Sequence, residues 1–385
     1  MRIGYLTYGL DRSPTGIGRY AMETLHAMHQ LGQGQPNDYE NDYEFVLLTT
    51  ERSEPYGLWN QFEHVHLPGC SLLPALMTIG NVLLSYAAKR HGLDLIHDPN
   101  GIAPFLGPRL GVPRIVTIYD TFAYIHPNEH NRLDNWRYRW LLPTAARRAD
   151  AIIAPSQCTC NDITTYLNPS PTPIHVVLAA ADTIFTPIPD SPERRAVLEH
   201  YGITPPYIFY VGGINARKNI ARLFEAYAKI RDRYPDIPLV IAGKRQWRTT
   251  EIEATYKRLA LEDSVRFTGY IENEHLPYLY SAASLFVFPS LYEGFGLPPL
   301  EAMSCGTPVV TSNISSLPEV VGDAALLVDP YNVDSIADAM CHILDDPTLA
   351  EQLRTRGIEQ AAAFTWRRTA QDTLAIYQYV LHNTS

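Results

Sequence analysis

Short apolar runs recur along the chain without strict alternation. Between them lie stretches whose apolar positions repeat every three or four residues. In the first half the runs fall at 3–8, 45–49, 94–97, 114–118 and 151–154. In the second half they fall at 207–211, 239–242, 265–267, 285–288 and 308–311. Continuous apolar runs of this length read as strands buried on both faces of a parallel sheet. The helical stretches between them predict right-handed β-α-β units, repeated in two halves. Prolines at 169, 171, 173, 187, 189, 192, 205 and 206 separate the halves, which puts a linker near residues 181–191. The resulting domains are 1–182 and 183–364. Near-helical spacing of Trp366, Leu374, Tyr377 and Val380 or Leu381 predicts a last amphipathic helix, about 365–385, packing back on the first domain.

Composition narrows the function classes. The chain has 385 residues, 46% of them hydrophobic and 19% charged, which suits two globular domains and argues against wholesale disorder. A net charge of -10 argues against a nucleic-acid partner, since phosphate neutralisation needs a basic surface. It leaves room for a small phosphate ligand in a local cationic pocket. The five cysteines form no disulfide framework. Cys158 and Cys160 are too close for a zinc knuckle and stand near no second cluster. With no signal-peptide pattern and no apolar run able to span a bilayer, a cytoplasmic protein is expected.

Three segments carry candidate chemistry. Thr15-Gly16-Ile17-Gly18-Arg19-Tyr20 follows the first strand and opens a helix. Glycines there allow close backbone approach, and helix N–H groups can meet an anion, although two spaced glycines also make an ordinary tight loop. Gly212-Gly213-Ile214-Asn215-Ala216-Arg217-Lys218-Asn219 follows the strand at 207–211. Two cations at the start of a helix oppose its macrodipole. A bound diphosphate accounts for them, and a solvated basic turn is the plainer alternative. Glu293-Gly294-Phe295-Gly296-Leu297-Pro298-Pro299-Leu300-Glu301 follows the strand at 285–288. One carboxylate after a buried strand can grip sugar hydroxyls, and a second at a helix start can accept from a ribose diol. A loop charge and a helix-start charge are the competing reading.

The Glu293-x7-Glu301 pattern, the Arg217-Lys218-Asn219 turn and the Gly16-Ile17-Gly18 loop resemble family 4 of the retaining glycosyltransferases. So do the stretches 290–310 and 316–325. The resemblance implies the GT-B fold, two facing Rossmann-like parallel-sheet domains with an interdomain cleft. It also implies roles. Gly16 and Gly18 would face the donor diphosphate and transferred sugar. Gly212, Gly213, Arg217 and Lys218 would bind the diphosphate. Tyr270 and Ile271 would meet the base, and Glu301 the ribose. Glu293 would contact the transferred hexose, with the N–H groups of Phe295, Gly296 and Leu297 facing sugar and phosphate. Two positions depart from the pattern. Gly213 stands where members often carry Arg, and Tyr119 where many carry a sugar-contacting His. Asp120 remains a candidate hydroxyl partner or a simple cap. His97, at a strand end, is either an acceptor-side residue or a structural histidine.

The resemblance further implies transfer of a hexose from a nucleotide sugar to a glycan or lipid-linked acceptor. The wording of the two stretches leans towards GDP-mannose and polysaccharide assembly. Rivals are UDP-glucose or a deoxysugar nucleotide on the same scaffold, and a non-catalytic nucleotide-sugar-binding scaffold. No Asp-x-Asp pair follows a strand, so transfer is expected to need no metal and no cofactor. Residues 72–90 and 131–148 mix aromatics with Lys and Arg. That mixture suits a peripheral membrane contact or a lipid-linked acceptor, against the plainer reading of core helices with charged outer faces.

Overall fold

The computed structural model describes residues 1–8, 16–32, 43–51, 57–67, 81–101, 103, 105–126, 132–244 and 250–383. Side chains of 81 and 132–138 lie outside that description, as do Thr15, residues 72–80 and Asn131 from the segments considered above.

The chain divides into two units, Met1–Ala179 with Thr365–Ser385, and Ala180–Phe364. The first holds a seven-stranded sheet of order β3-β2-β1-β4-β5-β6-β7. Its strands are β1 (Arg2–Leu6), β2 (Glu44–Thr49), β3 (Glu63–His66), β4 (Leu95–Asp98), β5 (Arg114–Thr117), β6 (Ala151–Ala154) and β7 (Ile174–Val176). Every pairing is parallel. Strands β4, β5 and β6 are buried at every residue; their apolar residues do not alternate with polar ones, and Asp98 closes β4 and Arg114 opens β5 as buried charged residues. The last helix, Trp366–Asn383, buries Trp366, Leu374, Tyr377 and Val380 and packs in this unit against the helix Gly16–Gly32. The Tyr20 and Trp366 rings meet edge to face at 5.8 Å, and Thr369 Oγ1 donates to the Leu178 carbonyl at 2.7 Å.

The second unit holds a six-stranded sheet of order β10-β9-β8-β11-β12-β13, again parallel throughout. Its strands are β8 (Ile208–Val211), β9 (Leu239–Ala242), β10 (Val265–Gly269), β11 (Leu285–Phe288), β12 (Val309–Ser312) and β13 (Leu326–Val328). Its aromatic core includes Tyr207, Phe209, Tyr280 and Phe286, all fully buried. The strand order reverses between β8 and β11, because β8 has β9 on one side and β11 on the other. In open α/β sheets ligands bind beyond the carboxyl ends of strands at such a switch point. The loops carrying Arg217, Lys218 and Glu293 leave from those two strands.

Candidate active site

In the second unit the turn after β8 is built from glycine outwards. Gly212 sits at φ 153° and Gly243, after β9, at φ 138°. A Cβ on Gly243 would lie 1.9 Å from the Gly212 carbonyl oxygen, so the two loops pass backbone against backbone and neither position accepts a side chain without moving. Gly213 follows, its carbonyl accepting from the Tyr210 hydroxyl at 3.3 Å. A 3-10 turn, Ala216–Lys218, then leads into the helix Ile220–Ile230. Asn215 caps the turn by accepting from the Lys218 N–H at 3.1 Å. Asn219 adopts φ 60°, and its amide donates to the carbonyls of Pro289 and Pro330 at 3.0 and 2.7 Å. This fastens the cation turn to the loop after β11.

That loop brings Glu293 to the cations. Lys218 Nζ donates to Glu293 Oε1 at 2.6 Å, and an Arg217 guanidinium nitrogen lies 3.2 Å from Oε2. Ser290 Oγ donates to the same Oε1 at 2.5 Å. Lys218 and Glu293 are only 8% and 7% exposed, and the Lys218 ammonium lies 4.8 Å from the Phe288 ring centroid. Burial alone would raise the Glu293 pKa. The charges of Lys218 and Arg217, with hydrogen bonds from Lys218 and Ser290, outweigh it and hold the carboxyl below its usual range. Tyr210 beside it is pushed far up, by burial first and then by the Glu293 charge. The cluster is thus two cations meeting one carboxylate at the carboxyl ends of the strands.

After Gly296, at φ 127°, comes the helix Leu297–Ser304, with prolines in its first turn. The first N–H groups of a helix have no acceptor within it. Pro298 and Pro299 bring none, so an anion at this helix start would meet the N–H groups of Phe295, Gly296 and Leu297. Glu301 lies one turn further along, 5% exposed. Its Oε2 accepts from the Tyr280 hydroxyl at 3.0 Å. Tyr270, after edge strand β10, is 63% exposed with the Lys244 ammonium 4.7 Å from its ring centroid. Ile271 beside it is buried. The structure therefore joins Arg217, Lys218 and Glu293 directly, and sets Glu301 and Tyr270 at separate points of the same sheet edge.

In the first unit Gly16 and Gly18 begin the helix Gly16–Gly32 after β1, Gly16 exposed and Gly18 buried. Tyr119, after β5, sits edge to face with Tyr20 at 5.2 Å. Its hydroxyl is 3.5 Å from the Ile17 carbonyl, so Tyr119 and the glycine segment do meet. Burial and the neighbouring Tyr20 push its phenol well up. Asp120 Oδ1 accepts from the Phe122 N–H at 3.1 Å, a turn just ahead of the short helix Phe122–Ile125. Of the two readings of His97, its surroundings fit the structural one. It is 1% exposed, and its ring nitrogens lie 2.7 Å from the Tyr377 hydroxyl and 2.8 Å from Thr117 Oγ1. Both nitrogens are used inside the core. Burial lowers its pKa to about 3.

Comparison with known proteins agrees with this architecture. Residues 14–183 match the family model Glycosyltransferase Family 4, and residues 193–360 match Glycosyl transferases group 1. The chain is a glycosyltransferase of this family, with the GT-B fold. It is 37% identical to the O-antigen chain mannosyltransferase B of Escherichia coli, over 98% of this chain and 100% of that one. It is 29% identical to the MMP alpha-(1->4)-mannosyltransferase of Mycolicibacterium hassiacum, over 98% of each. Among solved structures, sucrose-phosphate synthase from Thermosynechococcus elongatus superimposes with a TM-score of 0.79 at 22% identity, covering 99% of both chains.

Several residues that build the site escape a reading by motif. Ser315, Tyr280 and Gly243 act only through folding partners far off in sequence. Ser290 and Asn219 lie inside the resembling stretches, where their spacing beside Glu293 and Lys218 gave the available signal.

Proposed function

We propose that this glycosyltransferase moves mannose from GDP-mannose, with retention at the anomeric carbon, to a saccharide acceptor in polysaccharide assembly. The observation that carries the reading is the joining of Arg217, Lys218 and Glu293 at the β8/β11 switch point, where open α/β sheets take their ligands. Mannose as the sugar is supported by the two full-length relatives, both named mannosyltransferases.

In the proposed reaction the bond between sugar and diphosphate breaks and its electron pair leaves with the phosphate oxygen. The acceptor hydroxyl bonds to the anomeric carbon, and its proton passes to the leaving diphosphate. Arg217, Lys218 and the N–H groups of Phe295, Gly296 and Leu297 stabilise the developing charge. Glu293 orients the hexose hydroxyls, Glu301 the ribose, and Tyr270 with Ile271 the base. Catalysis is then positioning plus charge stabilisation on the leaving group, with no metal step.

We further propose that this work is done in the cytoplasm beside an anionic membrane surface. The helices Asn81–Arg90 and Arg132–Arg148 carry seven Lys or Arg against the single carboxylate of Asp134, in a chain of net charge -10. Both helices contribute to one core on one side of the first sheet, through Leu84, Ala88, Leu142 and Ala146. The same layer exposes Tyr86 and Trp140, at 59% and 67%. Basic residues with outward aromatics suit a headgroup region. Among the described residues no helix is long and apolar enough to cross a membrane.

The test of the donor is a thermal-shift panel of nucleotides and nucleotide sugars, with magnesium and with EDTA. Ligands that bind the native state raise Tm by mass action. Shifts with GDP and GDP-mannose but not UDP, equal in EDTA, are expected. A UDP-selective shift would overturn the donor, and no shift with any nucleotide would overturn donor binding altogether.

A further inference from the structure

The loop between β12 and the helix Leu317–Val321 contains an anomaly. Ser315 has φ 61°, a conformation that costs a residue with a Cβ and is normally left to glycine or asparagine. Such strain persists where the surroundings hold it in place, and here its use is visible. The Ser315 hydroxyl accepts from the Glu293 N–H at 3.0 Å and donates to the Glu293 carbonyl at 2.6 Å. One side chain thus occupies both backbone polar groups of the residue whose carboxylate joins Lys218 and Arg217. Ser316 reinforces the bracket. Its hydroxyl is 2.9 Å from the Glu293 carbonyl and 2.5 Å from that of Phe295. Leu317 completes it, since a Cβ on Gly296 would fall 2.9 Å from Leu317 Cδ2. The loop from 293 to 296 is therefore moulded against three consecutive residues, 315 to 317.

Glu293 needs such a mould because glycines lie at 294 and 296. A Glu-Gly-Phe-Gly segment has wide backbone freedom; Ser290 holds the carboxylate itself, while the peptide N–H and C=O of Glu293 are held by Ser315. We propose that Ser315 is a positioning residue for glycosyl transfer, holding the Glu293 peptide so that its carboxylate keeps one orientation towards the transferred sugar. This rests on the reading that the Glu293 cluster receives a nucleotide sugar. Ser315 itself contacts neither donor nor acceptor in this proposal.

Two substitutions separate positioning from plain stability. Ser315→Gly removes the hydroxyl and relieves the positive φ, two opposed effects on folding, so Tm should move by only a few degrees. Ser315→Ala removes the hydroxyl and keeps the strain, so Tm should fall further. Both should retain GDP affinity within about threefold, because Lys218 and Arg217 are untouched, and both should lose at least about tenfold of the extra affinity for GDP-mannose over GDP, matching one well-made hydrogen bond to a charged group. Calorimetric titration of the full chain with GDP and with GDP-mannose reads these values. Unchanged discrimination in Ser315→Gly would overturn the proposal.

A ligand-free arm keeps it decidable if the wild type binds neither nucleotide, which would sink the donor reading instead. The charged groups facing the Glu293 carboxylate are Lys218 and Arg217, with the Tyr210 phenol nearby. Stability owed to that pairing is lost on acidification. Melting between pH 5 and pH 3 should show a shallower acid loss in Ser315→Gly than in wild type. Identical profiles would show that Glu293 holds its place without Ser315, and overturn the proposal as well.

Discussion

Lys218 and Glu293 are 75 positions apart in the chain and 2.6 Å apart in the fold. The contact exists because β8 and β11 are neighbours in the second sheet, so the loops leaving their carboxyl ends meet. Each group answers a problem of the other. A buried ammonium without a partner, or a buried carboxylate without one, carries a desolvation penalty of several kcal/mol. Paired, each offsets the desolvation of the other, and in the proposed reaction they would exchange partners for a diphosphate and sugar hydroxyls.

Removing one member alone should therefore be worse than removing both. Lys218→Ala leaves Glu293 buried with Arg217 and Ser290, and should destabilise the fold by about 3 kcal/mol. Adding Glu293→Gln to Lys218→Ala should recover part of that loss. A double-mutant cycle by urea denaturation measures the coupling, and additive losses would mean that the pair is held by its surroundings and not by its own attraction. In turnover, Lys218→Ala should lower kcat/KM by about 10²-fold or more, the scale for losing one preorganised stabiliser of leaving-group charge.

The depressed Glu293 carboxyl sets an acid limit. A carboxylate with a lowered folded pKa contributes stability that is fully present above the ordinary glutamate value of about 4.3. That stability is lost as pH falls through the lower, folded value. Glu293→Gln should be less stable than wild type at pH 7, and the difference should shrink below about pH 4. A difference that stays constant down to pH 3 would mean that Glu293 is not held ionised by its partners.

The strands with no exposed face were legible because burial on both sides leaves an unbroken apolar run, as in Leu239–Ala242 and Leu285–Phe288. The runs at 63–66, 174–176 and 326–328 were not. The strand Glu63–His66 is a sheet edge with charged and polar residues facing outwards, so no apolar run marks it. The site divides in the same way. Arg217, Lys218 and Glu293 stood out as charges placed after buried strands. Ser315 and Tyr280 did not, because a hydroxyl has no signature until folding brings its partner from 21 or 22 residues away.

Glu301 gives a further test, through Tyr280. The hydroxyl reaches Glu301 Oε2 at 3.0 Å inside the core, and so helps to orient the carboxylate. Tyr280→Phe should cost about 1–3 kcal/mol of stability, the range for a hydrogen bond to a charged group. If Glu301 holds the ribose, the variant should raise KM for the nucleotide sugar several-fold with kcat little changed. A fall in kcat at constant KM would place Glu301 in the chemical step instead.

The last prediction concerns His97, where burial and not catalysis sets the chemistry. The ring bridges β4 to Thr117 on β5 and to Tyr377 on the last helix, and both partners are hydroxyls that can donate or accept. A neutral imidazole, with one donor and one acceptor, is satisfied there. A folded pKa of about 3 against an unfolded value of about 6.5 means that only the unfolded chain takes up the proton between those limits. The stability His97 secures is therefore complete above about pH 6.5 and declines as pH falls, by up to about 1.4 kcal/mol per pH unit, until the folded form can also be protonated. His97→Gln should be less stable than wild type at pH 7 and should lose stability more slowly from pH 6 to pH 4. Between about pH 6 and pH 5 the His97 effect acts while Glu293 is still ionised in both states, so that range isolates it. Urea denaturation at pH 7, 6, 5 and 4 gives both slopes, and parallel lines for wild type and His97→Gln would refute a buried neutral histidine. At pH 7, below its melting range, the variant should keep turnover close to wild type, because the ring reaches no surface from which it could touch a substrate.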